Sequence, residues 1–254
     1  MTTILQAVIL GIIQGITEWL PVSSSGHLVI FQHLFGIGEK IAMGLSLHLG
    51  TLAVVVFIFR NEIREIITSL LRKKRDANSR LALYIIIGSI PTALIGFMFR
   101  DIIEKSFENL MVVGAALIFT GVILYITKFV RRHDKKMDWK TSLFVGTMQG
   151  ISIIPGVSRS GSTISAGLFC GVDRDKAARY SFLLFIPAII GASILEIGKF
   201  RLGSAEVLPI ILGTVTAMIV SYFTINLLLG IVRKGRLHWF SWYCWILGIL
   251  VLAA

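Results

Sequence analysis

Residues 11–26, GIIQGITEWLPVSSSG, and residues 146–161, GTMQGISIIPGVSRSG, are two copies of one pattern. Shifting the chain by 135 residues superimposes them without a gap, and eight of the 16 positions are then identical. Both copies are largely apolar but are interrupted by proline and by clusters of glycine and serine, so neither is expected to form one straight helix. The repeat therefore predicts one broken segment in each half of the chain.

The composition of the 254 residues is that of a membrane protein. Apolar side chains make up 55% of the chain, charged residues only 15%, and the mean hydropathy is +0.82. A helix needs about 20 apolar residues to cross a bilayer. Such stretches lie at 41–59, 81–99, 110–130, 178–198 and 207–232, with a shorter one at 239–254. We expect an all-α polytopic membrane protein with about six transmembrane helices.

The lysines and arginines that give the net charge of +11 are distributed as in a membrane protein with several spans, and not as in a nucleic-acid-binding surface. Nineteen of the 25 lysines and arginines lie between the spans, at 60–80, 128–140, 174–179 and 233–236. Five lie at the opposite ends of the spans, namely Lys40, Arg100, Lys105, Lys199 and Arg201. If the larger set is cytoplasmic, each half has an odd number of crossings. The two halves then have inverted topology, and no nucleic-acid partner is expected.

The segments 1–38 and 141–171 must each enter and leave the membrane on one side for this count to hold. We interpret both as re-entrant helix–loop–helix hairpins, the first from outside and the second from inside, because irregular backbone at membrane depth survives only around a protein-lined or wet cavity. The chain is then a single membrane domain with pseudo-repeats at about 1–130 and 136–254. Inverted repeats place their binding site near the midplane, so the two Ser-x-Ser-Gly turns should face each other.

Arg159 and Glu18 are charged residues within these apolar hairpins. A guanidinium at the bilayer centre costs about 2.5–3.5 kcal/mol even on the insertion scale, and its planar fork suits phosphate oxygens. A structural ion pair between the two residues is the alternative. A carboxylate in this setting should be paired, metal-bound or neutralised. For Glu18 the roles of metal ligand, general base and structural partner of Arg159 all stay open.

The serine-rich turns supply the other polar groups of the predicted site. Glycine allows close backbone approach, hydroxyls can donate, and a following helix start offers free N–H groups to an anion, although small-residue helix packing is the alternative. His27 follows the first turn and can give or take a proton, whereas His48 is expected to be structural. The candidate binding residues of the turns are Ser23, Ser24, Ser25, Gly26, Ser158, Ser160, Gly161 and Thr163. This inventory suits the binding and cleavage of a phosphate ester or anhydride.

Two motifs, QGITEWLPVSSSGH at 14–27 and PGVSRSGST at 155–163, resemble the hallmarks of the undecaprenyl-diphosphate phosphatases, integral membrane enzymes of the bacitracin-resistance type. The resemblance covers essentially the whole chain. Members of that family remove the terminal phosphate of a C55 polyprenyl diphosphate and so regenerate the monophosphate lipid carrier for cell-wall and surface-polymer synthesis. The resemblance implies the same reaction here, at a site that faces the outside of the cell membrane.

The resemblance also implies a role for each matching residue. Glu18 corresponds to the essential carboxylate of the motif, Ser24 to the proposed nucleophile, His27 to the assisting histidine and Arg159 to the arginine that holds phosphate. Ser158 and Thr163 match further polar positions of the site. Sequence alone does not decide whether Ser24 or a metal-held water attacks the substrate.

Gln14 is a departure from the family pattern, because some members carry a second glutamate there. The family uses a divalent cation, commonly Mg²⁺ or Ca²⁺, which prefers hard oxygen ligands. Gln14 can still ligate the cation or hydrogen-bond to the substrate. Since it is neutral, we expect the cation to depend mainly on Glu18 and on the diphosphate itself.

A polyprenyl-phosphate flippase or transporter is the alternative from another functional class. Inverted repeats with broken helices are a common architecture for alternating access. A carrier would need Arg159 and the turns for affinity, but it would need no nucleophile or proton donor. Ser24, His27 and Glu18 therefore favour the enzyme, which acts on a lipid substrate among membrane lipids. The oligomeric state is left open, a homodimer included.

Overall fold

The computed structural model describes residues 2–37, 41–131, 134–196, 198 and 206–253. These ranges form α-helices and contain no β-strand, so the predicted all-α fold class is confirmed. The helices are α1 Ile4–Thr17, α2 Ser24–Leu34, α3 Ile41–Ile58, α4 Arg60–Leu71, α5 Ala77–Met98, α6 Arg100–Ser106, α7 Leu110–Ile126, α8 Trp139–Ile151, α9 Arg159–Phe169, α10 Arg174–Glu196, α11 Val207–Arg233 and α12 Phe240–Ala253. Lys40, Lys199 and Arg201, which the charge count assigned to one side, lie outside the described residues.

The predicted spans coincide with apolar helices. Four of these helices, α5, α7 with its 3-10 extension, α10 and α11, are long and apolar enough to cross a membrane. α3 meets the same test together with α4, from which it is bent by 74°. The last predicted span, 239–254, corresponds to α12, which is shorter, with 14 residues. The chain is therefore a multi-pass membrane protein.

The helix α4 lies in the segment 60–80, for which the charge pattern predicts only a connection between spans. Its apolar residues Ile63, Ile66, Ile67 and Leu70 recur at spacings of three and four, which places them on one helix face. Ile66 is buried on this face, whereas Ile67 and Leu70 are about half exposed. A high density of charged residues does not exclude an amphipathic helix. The spacing of the apolar residues in α4 indicates the helix, and a count of charged residues does not use that spacing.

The four segments rich in lysine and arginine meet at one end of the helix bundle. The ion pairs between them are Arg179–Glu62 at 2.5 Å, Arg233–Asp175 at 2.7 Å and Lys176–Asp134 at 2.7 Å. The backbone of Lys135 also bonds to that of Gly171. This common end is what the topology prediction requires. That this end faces the cytoplasm stays a prediction.

The two halves of the chain pack against each other reciprocally. α1 packs along α11, and its repeat equivalent α8 packs along α5. Gly11 in α1 meets the backbone oxygen of Gly213, and the equivalent Gly146 in α8 meets the backbone oxygen of Gly88. A methyl group at either glycine would collide with that oxygen, so the absence of a side chain lets the helix backbones touch. The repeat boundaries near 130 and 136 stay a prediction.

Candidate active site

Each predicted hairpin consists of two helices separated by a short break, as expected from the sequence. The break between α1 and α2 ends at Ser23, and the break between α8 and α9 ends at Ser158. Both serines cap the helix that follows, in the same way. Ser23 Oγ accepts a hydrogen bond from Gly26 N at 3.2 Å and lies 3.3 Å from Ser25 Oγ; Ser158 Oγ accepts one from Gly161 N at 3.1 Å and lies 3.3 Å from Ser160 Oγ. The first turns of α2 and α9 thus have one shared geometry.

The two breaks lie directly against each other, so the prediction that the serine turns face each other is confirmed. The N–H of Gly156 donates to Ser23 Oγ at 3.0 Å, and Ser160 Oγ donates to the carbonyl of Leu20 at 3.4 Å. Each bond joins one hairpin to the other. Two helix N-termini, with their free N–H groups and positive dipole ends, are therefore brought together inside the bundle, where they can receive an anion.

The two copies differ in backbone strain. Ser23 has φ +69° and ψ +99°, whereas the equivalent Ser158 has φ −74° and ψ +119°. A residue with a side chain in such a region costs of the order of 1–3 kcal/mol and persists where its surroundings enforce it. The bonds from Gly26 and Gly156 to Ser23 Oγ provide that enforcement. Strain of this kind is concentrated at functional sites, and here it falls in the first hairpin.

Glu18 is the centre of the site, with a side chain that is only 4% exposed. Its Oε1 accepts a 2.8 Å hydrogen bond from Arg159, in an ion pair that joins the two hairpins. Its Oε2 accepts hydrogen bonds from Ser24 Oγ at 2.6 Å and from the amide of Gln14 at 3.0 Å, and it lies 3.4 Å from Nε2 of His48. Glu18 is therefore in contact with three other predicted site residues, Gln14, Ser24 and Arg159.

Arg159 is held in place by more than its carboxylate partner. Its guanidinium carbon lies 4.1 Å from the ring centre of Phe185 and 5.5 Å from that of Trp19, so aromatic faces replace part of its hydration. The ion pair with Glu18, which was the structural alternative, uses only one of its terminal nitrogens. Nε and the other terminal nitrogen are buried without a hydrogen-bond partner among the described residues. Two donors are thus free for an anionic ligand.

His27 is placed differently from the other predicted catalytic residues. Its Nδ1 lies 2.7 Å from the carbonyl oxygen of Ser23, and its Nε2 lies 2.7 Å from the hydroxyl of Tyr243 in α12. The described residues show no hydrogen bond between His27 and Ser24 or Glu18. Nδ1 of His27 is therefore bound at the break of the first hairpin, and Nε2 is bound to a residue of α12.

The remaining predicted binding residues shape the second turn. Thr163 Oγ1 donates to the carbonyl of Arg159 at 2.7 Å and lies 2.6 Å from Ser181 Oγ in α10. This fixes the first turn of α9 against α10. Ser158, Ser160, Gly161 and Ser25 lie in the paired turns described above, and the described residues show no hydrogen bond between them and Glu18. Their side chains organise the helix starts, and the backbone N–H groups are the part that can meet a ligand.

His48 and Tyr243 are polar groups at the site that sequence reasoning missed. His48 Nδ1 lies 2.8 Å from the carbonyl of Gly44, and this bond turns Nε2 towards Glu18. The rule that ionisable residues within a span are functional, which was applied to Arg159 and Glu18, would have selected His48 as well. For Tyr243 the sequence carries no such signal, because it stands among the aromatic residues of FSWYCW, which also suit a membrane interface.

The cluster can perform acid–base and nucleophilic chemistry on an anion. A hydroxyl at 2.6 Å from a carboxylate is within the range over which a general base removes a proton. The free donors of Arg159 and the two helix N-termini can hold negatively charged oxygens close to that hydroxyl. The first hairpin supplies the reactive hydroxyl and carboxylate, and the second supplies the positive charge.

Comparison with known proteins shows the family of this chain. The family model described as bacitracin resistance protein BacA matches residues 7–250. The chain is 45% identical to the undecaprenyl-diphosphatase of Desulforapulum autotrophicum, over 98% of this chain and 97% of that protein. It is 44% identical to the one from Carboxydothermus hydrogenoformans, over 97% and 95%, and 41% identical to the one from Korarchaeum cryptofilum, over 98% of each. The chain belongs to the BacA family of bacitracin resistance proteins.

Proposed function

We propose that the protein is an undecaprenyl-diphosphatase, a hydrolase that removes the terminal phosphate of a long-chain polyprenyl diphosphate. The products are the monophosphate lipid carrier and inorganic phosphate. The observation that carries the proposal is the cluster in which Glu18 binds Ser24 with one carboxylate oxygen and Arg159 with the other. A flippase or transporter would have no use for a hydroxyl held on a buried carboxylate.

The diphosphate enters between the two hairpins, while the prenyl chain lies along the lipid-facing helices. Arg159 holds the terminal phosphate with the nitrogens that have no hydrogen-bond partner among the described residues. The first-turn amides of α9, which begins after Ser158, add further donors with the favourable end of the helix dipole. Because these groups are fixed before the substrate arrives, they stabilise the charge that develops on the phosphate oxygens.

In the chemical step the Ser24 oxygen attacks the terminal phosphorus, and its proton passes to Glu18. The bond between that phosphorus and the bridging oxygen breaks, and its electron pair leaves with the lipid monophosphate. Water then cleaves the phosphoserine and releases phosphate. In the alternative route, water attacks directly and Ser24 only orients it. His27 serves proton delivery to the leaving monophosphate.

A divalent cation, Mg²⁺ or Ca²⁺, is part of the proposal and would neutralise charge on the diphosphate. Glu18 and the Gln14 carbonyl are the hard oxygen ligands at the site, and Gln14 Oε1 is buried without a hydrogen-bond partner among the described residues. The described ranges hold no cluster of three His, Cys, Asp or Glu side chains. Under this proposal, oxygens of the diphosphate itself would complete the coordination.

We place the enzyme in the cell membrane, with the site open to the external side from which the first hairpin enters. This position is the one that the family resemblance implies for an enzyme that recycles the lipid carrier. The support is the family resemblance together with the charge distribution. Labelling of single cysteines introduced into the connection between α4 and α5, residues 72–76, tests the orientation. Reaction with a membrane-impermeant reagent in intact cells would contradict it.

The test of the function is product analysis with the purified protein in detergent, where no compartments exist and transport gives no signal. We expect mass spectrometry to find undecaprenyl monophosphate and inorganic phosphate in equal amounts. The full-length wild-type chain and added Mg²⁺ are used, with chelator as the control for the cation. Recovery of intact diphosphate from an enzyme that is folded by its thermal unfolding curve would contradict the proposal.

A further inference from the structure

His48 in α3 directs one ring nitrogen at the carboxylate of Glu18. Its Nδ1 lies 2.8 Å from the carbonyl oxygen of Gly44, and because a carbonyl oxygen can only accept, Nδ1 carries the hydrogen. In the neutral imidazole Nε2 is then unprotonated, and it lies 3.4 Å from Oε2 of Glu18. Two acceptor atoms therefore face each other, and a positive charge between them would relieve their repulsion.

Either a proton or a metal cation can supply that charge, and the distances at Oε2 favour the cation. Oε2 already accepts hydrogen bonds from Ser24 Oγ at 2.6 Å and from Gln14 Nε2 at 3.0 Å, whereas 3.4 Å is longer than most N–H···O bonds. Ligand atoms at right angles around a divalent cation, with bonds of about 2.0–2.6 Å, lie about 2.8–3.7 Å apart. The separation of Nε2 and Oε2 is therefore suited to two ligands of one cation.

Two further features agree with a cation at this place. A histidine that binds a metal almost always donates its other ring N–H to a carbonyl, a carboxylate or water, as Nδ1 of His48 does to Gly44. Gln14 is fully buried, and its Oε1 has no hydrogen-bond partner among the described residues, although the nitrogen of the same amide bonds to Glu18. A buried acceptor without a donor is costly, and a cation would satisfy it.

We infer that Nε2 of His48 is a ligand of the divalent cation at Glu18, beside the carboxylate oxygen and Gln14 Oε1. The inference rests on the proposed function, in which the diphosphate supplies the remaining oxygens; without substrate, water takes their place. An imidazole nitrogen suits transition-metal cations, whereas Mg²⁺ and Ca²⁺ take oxygen ligands. His48 should therefore contribute strongly to the binding of Co²⁺ and little to the binding of Mg²⁺.

Electron spin-echo spectroscopy of bound Mn²⁺ tests the assignment, because a coordinated imidazole gives a nitrogen coupling that oxygen ligands do not give. The purified full-length chain, without a polyhistidine tag, receives less than one equivalent of Mn²⁺. We expect the nitrogen coupling in the wild type and its loss in His48→Gln, in which the glutamine still offers an oxygen. His33→Gln is the matched control: His33 is an exposed histidine of α2, and its replacement should leave the coupling unchanged.

Calorimetric titration with each metal alone gives a second readout. In His48→Gln, the affinity for Co²⁺ should fall by at least about 10-fold, whereas that for Mg²⁺ should change by less than about 3-fold. In His33→Gln both affinities should stay at the wild-type values. A fall of equal size for the two metals in His48→Gln would show that the imidazole nitrogen is not a ligand, and would overturn the inference.

The wild-type spectrum is decisive even if a variant fails to fold. Bound Mn²⁺ without nitrogen coupling, as expected if a proton joins His48 to Glu18, would overturn the inference. So would a wild type that binds no Mn²⁺, or a coupling that persists in His48→Gln. A wild type that shows the coupling but releases no phosphate from undecaprenyl diphosphate would support the metal ligand and contradict only the proposed function.

Discussion

The guanidinium of Arg159 donates a 2.8 Å hydrogen bond to the carboxylate of Glu18, although the residues are 141 positions apart. Their side chains are 13% and 4% exposed, respectively. Each belongs to a different hairpin, so the bond closes the site across the boundary between the two halves of the chain. It also makes the stability of the protein depend on a pair of residues that the proposed reaction uses.

The first prediction concerns the coupling between these two charges. Removing one partner leaves the other buried and uncompensated, which costs about 3–5 kcal/mol for a buried pair. We expect Glu18→Gln and Arg159→Gln each to lower the unfolding midpoint in detergent, and the double variant to be less destabilised than the sum of the two. Purely additive losses would show that the pair does not act as a unit.

Much of this fold could be predicted because it follows from local rules. The apolar stretches gave the spans, and the repeat of 11–26 in 146–161 gave the two hairpins and their contact. The meeting of Glu18 and Arg159 followed from the cost of intramembrane charge together with the repeat. These inferences needed only the amino-acid composition, the spacing of residues along the chain, and the cost of placing polar or charged groups in the bilayer.

The parts that could not be predicted depend on tertiary packing. His48 meets Glu18 because α3 packs against the first hairpin, and nothing in the sequence around His48 states that register. The contact between His27 and Tyr243 joins residues 216 positions apart, and no repeat or motif relates them. Ser23 and Ser158 also differ in backbone strain. The two segments that contain them match in sequence, so the sequence does not predict this difference.

A second prediction assigns the reacting hydroxyl. Ser24→Ala removes the group bonded to Glu18 at 2.6 Å, and we expect turnover to fall by at least about 100-fold. Ser165→Ala is the control, since Ser165 is a buried serine of α9 whose hydroxyl has no partner among the described residues. It should keep wild-type turnover. A Ser24→Ala enzyme with near-normal turnover would leave attack by water as the only route.

A third prediction follows from the contact between α5 and α8. A methyl group at Gly146 would collide with the backbone oxygen of Gly88, which no side-chain rotation can relieve. We expect Gly146→Ala to destabilise the protein by about 1–3 kcal/mol, as other overpacked sites do. At Gly191 in α10 an added methyl group meets no atom within 4 Å, so Gly191→Ala should not lower the unfolding midpoint. Equal midpoints for the two variants would argue against close contact of α5 and α8.

A fourth prediction is a pH dependence of stability at the start of α8. Asp138 accepts a 2.8 Å hydrogen bond from Thr141 N and pairs with Lys135 at 3.0 Å. The bonds from Thr141 and then the pair with Lys135 lower the pKa of Asp138 from 3.8 to about 2. A lowered pKa means that the carboxylate contributes its full stability above 3.8, and that this is lost as the pH falls towards 2.

The variant Asp138→Asn isolates this contribution, because asparagine can still cap the helix but does not ionise. We expect the wild type to be more stable than the variant at neutral pH, and the difference to shrink as the pH falls below 3.8. Unfolding midpoints across this range, measured in one detergent, provide the check. A difference that stays constant down to pH 2 would contradict the assignment.

The central claim is that the two hairpins form one site that cleaves the diphosphate, and phosphate release by three purified proteins tests it most directly. Wild type, Glu18→Gln and Arg159→Lys are compared on undecaprenyl diphosphate with Mg²⁺, each first shown to be folded. Lysine keeps the charge of Arg159 but lacks the fork whose free nitrogens hold phosphate. We predict release by the wild type and a loss of at least about 100-fold in both variants. Wild-type rates in the folded variants would contradict the claim.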